Sequence, residues 1–249
     1  MENTSKIHFF IFSTYKTIIN FLFPRTCPNC NKVIENKKLF CDHCFKNMSF
    51  ISSCVCQWCG RPLYSEFTGE KILCGKCMAK RPTYDMARSV FIYESSSKDS
   101  ILKFKYADKM EFGKTFVSLM LQAGTPLLQK TDIIMAVPMH WSRRLMRKYN
   151  QAEILAKTLG KKTKIPYNPR VLIRTKYTTR QENKNYTERQ ANVKNVFSVK
   201  NKERIKGKRI LLIDDVFTTG ATVSNCAKTL KKSGAKAVYV LTIAKTIKQ

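Results

Sequence analysis

The sequence predicts an α/β domain built on a parallel sheet and preceded by a small cysteine-rich module. Two observations lead to this prediction. Nine of the ten cysteines lie between positions 27 and 77. From about residue 85 onward, stretches with helical periodicity alternate with apolar stretches typical of strands. We therefore predict three segments: an N-terminal helix at 1–24, the cysteine-rich module at 25–84 and the α/β domain at 85–249.

The composition is that of a folded, strongly basic protein. A chain of 249 residues with 43% hydrophobic residues can bury a sizeable core, which excludes wholesale disorder. Lys and Arg outnumber Asp and Glu by 46 to 17, so the formal net charge is +29. This excess favours polyanionic partners such as nucleic acid, anionic lipid or phosphorylated small molecules. The alternative is that a lysine-rich composition decorates solvated faces without a specific partner.

Residues 7–23 are the candidate targeting or membrane segment. Apolar residues recur there at helical spacing, but Lys16 and Asn20 interrupt them, so the segment is a poor membrane-spanning helix. We predict an amphipathic helix that Pro24 ends and that docks on the body of the protein, with peripheral membrane contact as the alternative. No small-residue cleavage site follows, and we expect a cytoplasmic protein without a transmembrane segment.

The cysteine-rich module contains four C-x-x-C motifs. A two-residue gap lets both thiolates of a motif bind one ion, and two motifs complete a tetrahedral Cys₄ shell, so we predict two zinc ions. A disulfide framework would need an oxidising compartment, and the sequence shows no export signal for one. The eight predicted ligands are Cys27, Cys30, Cys41, Cys44, Cys56, Cys59, Cys74 and Cys77.

The sequence leaves open which motifs share an ion. Sequential pairing needs only short loops, whereas interleaved pairing is also compatible with the spacing. Cys54 lies beside one motif and His43 lies inside another, and we interpret both as bystanders. Cys226 falls in a run of apolar residues at helical spacing and is expected to be buried.

The α/β domain is predicted from its apolar periodicity. The predicted strands are 88–93, 132–137, 209–213 and 237–243, and the predicted helices cover 112–123, 152–159 and 222–233. Nearly every residue of 132–137 is apolar, which is typical of a central parallel strand. Gly160 is predicted to end the second helix. Lys231 and Lys232 complement the negative end of the third helix, and Gly234 follows it.

The segment 174–195 is polar and lacks apolar periodicity. A structureless stretch of about 20 residues inside a compact domain is usually functional or disordered. We interpret this one as a mobile active-site loop, and a solvated excursion without function is the alternative.

The candidate chemistry lies at 210–222, where an apolar strand ends in Asp214 and Asp215. Ligands of open α/β sheets bind just beyond the carboxyl ends of the strands. The next residues combine glycine with hydroxyl side chains and open a helix, whose N-terminus suits a phosphate group. The carboxylates would then meet the vicinal hydroxyls of a sugar; simple capping is the alternative. The predicted phosphate loop consists of Thr218, Thr219, Gly220, Ala221 and Thr222.

This stretch resembles the 5-phosphoribosyl-1-pyrophosphate (PRPP) signature of type I phosphoribosyltransferases. Other stretches resemble ComF-type competence proteins, a family with an N-terminal double zinc ribbon. The resemblance covers about residues 25 to 245. Besides 210–222 it is carried by 136–151, Lys105-Tyr106, 174–181, 188–197 and Cys59-Gly60-Arg61-Pro62.

The resemblance implies a PRPP site that works with Mg²⁺. Asp214 and Asp215 would bind the ribose hydroxyls, and the loop 218–222 would hold the 5-phosphate. Mg²⁺ would bridge pyrophosphate and ribose largely through ligand oxygens and water. The implied pyrophosphate contacts are Pro138, Met139, His140, Arg143, Arg144 and Arg147. The other implied PRPP contacts are Lys105 and, on the loop that would close over the site, Arg174, Lys176, Arg180 and Arg189.

One block departs from the family pattern. Where the family usually reads Arg-Gly-Phe-Asn-Gln, this chain has Arg147-Lys148-Tyr149-Asn150-Gln151. Loss of the glycine restricts the backbone beside the pyrophosphate. Lys148 could itself contact an anion there.

Functions from different classes remain open at this point. The resemblance implies a protein that binds PRPP and handles single-stranded DNA during natural transformation, with DNA-uptake or recombination proteins as partners. The alternative is a phosphoribosyltransferase that transfers phosphoribose to a nitrogen acceptor, relying on binding and charge neutralisation. A PRPP-sensing regulator is a third interpretation. DNA binding by base stacking is favoured by aromatic residues in basic segments: Trp58, Tyr64, Phe67, Trp141, Tyr149, Tyr177 and Tyr186.

Overall fold

The computed structural model describes residues 24–35, 38–51, 54–63, 72–106, 112–139, 149–175 and 196–247. The chain divides into two compact units, Met1–Met48 and Ser49–Gln249. The division falls inside the segment 25–84, so the second half of the cysteine-rich module belongs to the same unit as the α/β domain. The helix predicted at 7–23 lies outside the described residues. In the part of the chain that is described, no helix is long and apolar enough to cross a membrane.

The strands of the second unit form two sheets. They are β1 (Met86–Ile92), β2 (Ile133–Ala136), β3 (Leu172–Arg174), β4 (Phe197–Val199), β5 (Arg209–Phe217) and β6 (Ala237–Lys245). Four of them build a parallel sheet in the order β1-β6-β5-β2, while β3 and β4 pair antiparallel. The parallel α/β architecture predicted from the sequence is thereby confirmed.

The two long central strands, β5 and β6, bring the candidate site into position. Residues 210–213 of β5 and 238–245 of β6 are buried, as expected for parallel strands covered on both faces. The sequence predicted that β5 ends at 213, but the strand continues to Phe217. The two carboxylates therefore lie within the strand, where Asp214 is in register with Thr242 of β6.

In the first unit the described residues form helix α1 (Asp42–Lys46). In the second unit they form α2 (Gly75–Ala79), α3 (Ser95–Tyr106), α4 (Phe112–Ala123), α5 (Thr125–Leu128), α6 (Gln151–Thr163) and α7 (Ala221–Lys232). The three helices predicted from periodicity correspond to α4, α6 and α7. Cys226 of α7 is fully buried in the core cluster on one face of the sheet, which confirms the interpretation of this cysteine.

The prediction that Gly160 ends its helix is wrong. Helix α6 continues to Thr163, and Lys164 adopts the left-handed conformation, with a φ of 62°, that caps it. Gly160 is needed for packing, because a Cβ there would lie 3.0 Å from the carbonyl oxygen of Ile165 and 3.2 Å from the Cβ of Tyr167. The glycine lets the chain that leaves the helix fold back against it.

Two aspartates anchor the amino-terminal edge of the parallel sheet. Asp85 precedes β1 and accepts hydrogen bonds from Lys231 Nζ and from the backbone N–H of Val238, both at 2.8 Å. Asp132 precedes β2, and its carboxylate lies 2.7 Å from Nη2 of Arg209. Hydrogen bonds from that arginine lower the pKa of Asp132 to about 2. These contacts fix the strand ends opposite the edge that carries the candidate site.

Candidate functional site

Two sets of four cysteines have their sulfur atoms within 4.8 Å of one another. The C-x-x-C motifs pair sequentially, which resolves the pairing that the sequence left open. Among the described residues, Cys54 and His43 belong to neither set. The first cysteine set is Cys27, Cys30, Cys41 and Cys44, and the second cysteine set is Cys56, Cys59, Cys74 and Cys77.

The same local structure builds both cysteine sets. The carbonyl oxygen of the first cysteine accepts a hydrogen bond from the N–H four residues later, from Asn31 to Cys27 and from Gly60 to Cys56, both at 2.9 Å. Asn31 and Gly60 both have positive φ, 63° and 67°. The third cysteine of each set directly precedes a short helix, α1 or α2. This repetition supports two equivalent metal sites.

The sulfur positions fit a tetrahedral zinc ion. Zinc–sulfur bonds of about 2.3 Å place neighbouring sulfurs roughly 3.8 Å apart. The Sγ atoms of Cys30 and Cys41 are 3.6 Å apart, and those of Cys59 and Cys74 are 3.7 Å apart. In the second cysteine set, hydrogen bonds from the Cys59 thiol and from backbone N–H groups lower the pKa of Cys56 to about 4. A lowered pKa favours the thiolate, the form that binds zinc.

The second cysteine set is fastened to β1 through backbone contacts. The N–H of Ala87 donates to the carbonyl oxygen of Trp58 at 2.7 Å, and Nη1 of Arg88 donates to that of Gln57 at 3.1 Å. A Cβ on Gly60 would lie 2.5 Å from the carbonyl oxygen of Ala87. This close approach, together with the positive φ, requires glycine at position 60. The second ribbon thus packs directly on the α/β domain.

Near the carboxyl end of β5, Asp214 and Asp215 point to opposite faces of the sheet, because side chains alternate along a strand. Oδ2 of Asp215 lies 2.9 Å from Nζ of Lys105, which reaches it from the last turn of α3. The Lys105 and Asp215 side chains are only 13% and 16% exposed. Asp214 lies on the other face, where its charge acts on the buried thiol of Cys226 in α7. The structure thus brings Lys105 to the predicted carboxylate pair.

The two neighbouring carboxylates raise the cost of ionising Asp214. Burial, and secondly the negative charge of Asp215, raise the pKa of Asp214 to about 8. Lys105 acts in the opposite direction, but its ion pair is with Asp215. At neutral pH a large share of the Asp214 carboxyl is therefore protonated and able to donate a hydrogen bond.

The predicted phosphate loop, 218–222, leads from β5 into α7. Gly220 has a φ of 78°, and a Cβ there would lie 2.6 Å from the ring of Phe217, so the turn requires glycine. Thr219 Oγ1 accepts a hydrogen bond from the N–H of Ala221 at 3.3 Å. The four residues other than Gly220 are exposed. The first turn of the 12-residue helix α7 is therefore open to an anion.

The start of α6 holds the end of α3, and with it Lys105. The phenol of Tyr149 donates to the carbonyl oxygen of Phe104 at 2.9 Å, and Nε2 of Gln151 donates to that of Lys105 at 3.0 Å. Gln151 is 1% exposed. Tyr149, which stands where the resembled family usually has Phe, adds a hydrogen bond that Phe could not make. The sequence pointed to this block but not to its part in holding α3.

A cavity of about 480 Å³ lies beside the end of β2. It brings together three predicted PRPP contacts, Pro138, Met139 and Arg174. Arg170 and Lys200 add positive charge to it. Sequence reasoning missed these two cations because no motif distinguishes them from the many other basic residues. The remaining lining residues are Glu153, Pro169, Leu172, Ile173 and Asn201.

The structure does not describe every residue predicted for the site. His140, Arg143, Arg144, Arg147, Lys176, Arg180 and Arg189 lie outside the described residues, as do 176–195 of the predicted loop. Their roles remain predictions. Arg174, predicted as part of that loop, is instead the last residue of β3, and its guanidinium lies 5.7 Å from the ring centre of Phe197.

Comparison with known proteins identifies the parts of this chain. A family of double zinc ribbon domains matches residues 18–78, and a family of phosphoribosyl transferase domains matches residues 151–248. Competence protein F of Haemophilus influenzae is 28% identical over 220 residues, which cover 82% of this chain and 96% of that protein. DNA utilization protein YhgH of Escherichia coli is 29% identical over 199 residues, covering 78% and 85%. Competence protein ComFC of Bacillus subtilis is 28% identical over 204 residues, covering 79% and 80%.

These matches fall on the elements described above. The zinc ribbon match contains both cysteine sets, and the phosphoribosyl transferase match contains β5, the phosphate loop and α7. The protein therefore combines a double zinc ribbon with a phosphoribosyltransferase domain. Over most of its length it is a homologue of competence protein F, YhgH and ComFC.

The pKa of Asp214 predicts a specific pH dependence of stability. Since its folded-state pKa of about 8 lies above the ordinary value of 3.8, protonated Asp214 stabilises the fold below about pH 4, and this contribution is lost as the pH rises through 8. Asp214→Asn should remove that loss. The free energy of unfolding of the variant, relative to that of the wild type, should therefore increase between pH 5 and pH 8.5. Urea unfolding of the ligand-free protein at several pH values measures the difference.

The matched control is Asp99→Asn, which makes the same change at an exposed position of α3. Its stability should follow that of the wild type across the whole range. Parallel curves for Asp214→Asn and the wild type would show that Asp214 titrates as an ordinary carboxylate.

Proposed function

We propose that this protein binds PRPP with Mg²⁺ in its phosphoribosyltransferase domain and handles single-stranded DNA during DNA uptake in natural transformation. One observation carries the first half: two consecutive carboxylates lie near the end of β5, two residues before an exposed glycine-containing turn that opens α7. The names of the relatives, competence protein F and DNA utilization protein, support the second half. The cytoplasm, which contains PRPP, is the compartment in which this function would operate.

The phosphate loop and the carboxylates would bind different parts of the sugar phosphate. The N–H groups of the first turn of α7 and the hydroxyls of Thr218 and Thr222 would bind the 5-phosphate. The ribose hydroxyls would donate hydrogen bonds to Asp214 and Asp215. Because these side chains face opposite sides of the sheet, the ribose would lie across the edge of the sheet at the end of β5. Hydroxyl donors favour the ionised carboxylate, so ligand binding would lower the raised pKa of Asp214 and release a proton.

The pyrophosphate would lie on the β2 side of the sheet. The turn after β2, with Pro138 and Met139, is next to the cavity that Arg170, Arg174 and Lys200 make positive. We assign the implied contacts of His140, Arg143, Arg144 and Arg147 to the same group, and closure over it to Lys176, Arg180 and Arg189. Mg²⁺ would be held mainly by oxygens of PRPP and by water.

Single-stranded DNA would be bound by charge and stacking. The net charge of +29 supplies a strong attraction for phosphates. Two of the aromatic residues predicted to stack have structural contacts: Trp58 packs beside the second cysteine set under the guanidinium of Arg81, and Tyr149 holds α3. The stacking surface is therefore assigned to aromatic residues outside the described part of the chain, including Tyr177 and Tyr186. DNA-uptake or recombination proteins would be the partners.

An active phosphoribosyltransferase is the second candidate. It is favoured by the cavity of about 480 Å³ that lies next to the predicted pyrophosphate turn and could admit an acceptor. Incubation with PRPP, Mg²⁺ and each nucleobase, with detection of pyrophosphate, distinguishes the two functions. Base-dependent release of pyrophosphate would make the protein an enzyme, whereas binding without release supports a PRPP-binding module.

The first prediction here is that PRPP stabilises the protein. At a concentration 100-fold above its Kd a ligand adds about 2.7 kcal/mol, which for a chain of this size raises Tm by about 5–10 °C. The combined substitutions Asp214→Asn and Asp215→Asn should abolish most of this shift. Thermal unfolding with and without PRPP and Mg²⁺ measures it, and Asp99→Asn is again the matched control. An undiminished shift in the double variant would contradict the assignment.

The second prediction is a content of about two zinc ions per chain. Each cysteine set offers four sulfur donors in one cluster. Cys30→Ser should lower the content by one ion through the first cysteine set, and Cys77→Ser should do so through the second. Elemental analysis of the purified protein gives the count. A wild-type protein that contains iron instead of zinc, or no metal, would refute the prediction.

The third prediction is binding of single-stranded DNA that survives physiological salt. Stacking contributes roughly 1–3 kcal/mol per base and is insensitive to salt, unlike phosphate contacts. Tyr177→Ala with Tyr186→Ala should weaken binding by at least about tenfold without changing the salt slope. Fluorescence anisotropy with a labelled oligonucleotide across a salt series provides both quantities. Binding that vanishes by physiological salt and ignores both substitutions would indicate ordinary polycation behaviour.

A further inference from the structure

A lysine is buried between the second cysteine set and the phosphate loop. Lys245, the last residue of β6, is only 5% exposed. Its ammonium lies 3.4 Å from the ring centre of Phe217, the last residue of β5. Cys59 packs against the core cluster that contains Phe217, and all four thiols of the second cysteine set act electrostatically on Lys245. Lysine is almost never buried unless it is paired with an opposite charge.

The charge of an occupied second cysteine set explains why a lysine is tolerated there. A divalent ion with four thiolate ligands has a net charge of −2, and burying that charge beside an apolar core is costly without a nearby cation. Lys245 supplies one, and Arg88, whose guanidinium holds the carbonyl of Gln57, is also acted on by Cys56 and Cys59.

The first cysteine set has a different environment. Among the described residues, Lys38 acts on it electrostatically through Cys41. The Lys38 side chain is 39% exposed and is ion-paired with Asp42 at 2.8 Å. Solvent can screen this first set, so it has less need of a buried counter-charge. Within the described ranges, the two sets therefore differ in the exposure of the lysine that acts on them while sharing the same local structure.

Lys245 is also connected to the phosphate loop, through Phe217. Its partner Phe217 fills the space beside Gly220, where a Cβ would lie 2.6 Å from the ring. Tyr84 fixes the other side of Phe217 in an edge-to-face contact with ring centres 5.9 Å apart. Any displacement of Phe217 must move either Lys245 or the turn at Gly220, because a packed interior does not deform freely.

We propose that Lys245 is the counter-charge of the metal ion in the second cysteine set and that, through Phe217, it links occupancy of that site to the conformation of the phosphate loop. The proposal rests on the zinc binding proposed above and is independent of PRPP and DNA binding. Lys245 acts as a positioning residue: it touches neither the metal nor the predicted ligand.

Zinc retention in Lys245→Met tests the counter-charge. The substitution keeps the length of the side chain and removes its charge, and Lys236→Met makes the same change at the exposed start of β6. Outer contacts of a metal site typically contribute 10–100-fold to affinity. Titration with a chromophoric chelator should show the second site of Lys245→Met losing zinc at least about tenfold more readily, while the first site and Lys236→Met stay as in the wild type.

The two sites are told apart with Cys30→Ser and Cys77→Ser, each of which leaves one site. Lys245→Arg, which keeps the charge, should restore most of the zinc retention. Equal retention at both sites of Lys245→Met would overturn the proposal. A wild-type protein without zinc would instead refute the zinc assignment itself, so the two failures are distinguishable.

The link to the loop is tested on the wild-type chain, which avoids any folding defect of a variant. Amide hydrogen exchange is followed while the chelator empties the second site. Amides of 219–224 should exchange several-fold faster once that ion is removed, whereas those of α4 should not change. Unchanged exchange at 219–224 with the second site empty would show that loop and metal site are independent.

Discussion

The candidate site depends on one electrostatic constraint: two consecutive carboxylates lie within a central strand, and a largely buried lysine pairs with one of them. Asp214 and Asp215 face opposite sides of the sheet, and Lys105 reaches only Asp215 at ion-pair distance. Burial, and secondly the negative charge of Asp215, raise the pKa of Asp214 to about 8, so its carboxyl is largely protonated near neutral pH. The hydrogen bonds from Tyr149 and Gln151 fix the end of α3, and with it the lysine that neutralises Asp215.

The two zinc ribbons share one local structure but differ in the residue at one position of the turn. Both cysteine sets use the same turn with a positive φ four residues after the first cysteine, but the residue there differs. Asn31 can adopt that conformation with a side chain, whereas Gly60 lies against the backbone of β1 and leaves no room for one. The second ribbon is thereby part of the α/β unit. We propose that the charge of its occupied metal site is balanced by Lys245, which contacts Phe217 beside the phosphate loop.

Most of the fold could be predicted because strong periodic signals coincide with the buried elements. The eight cysteines of the two sets and the carboxylate pair were recognisable because the chemistry predicted for them requires fixed spacing. Helix α3 was missed because serines at 97 and 100 occupy buried positions on it and dilute the apolar pattern. Gly160 was misinterpreted because a packing glycine and a terminating glycine look alike in a sequence. The proposed role of Lys245 could not be predicted from the sequence, since it depends on a cysteine set more than 160 residues away in the chain.

We propose that the turn between β5 and α7 binds the phosphate of a phosphorylated ribose. A crystal structure of the complex with ribose 5-phosphate tests it most directly. Phosphate oxygens should lie within hydrogen-bonding distance of backbone N–H groups of 218–222, with the sugar hydroxyls on Asp214 and Asp215. A sugar phosphate bound instead in the cavity lined by Arg170, Arg174 and Lys200, with the turn empty, would contradict it.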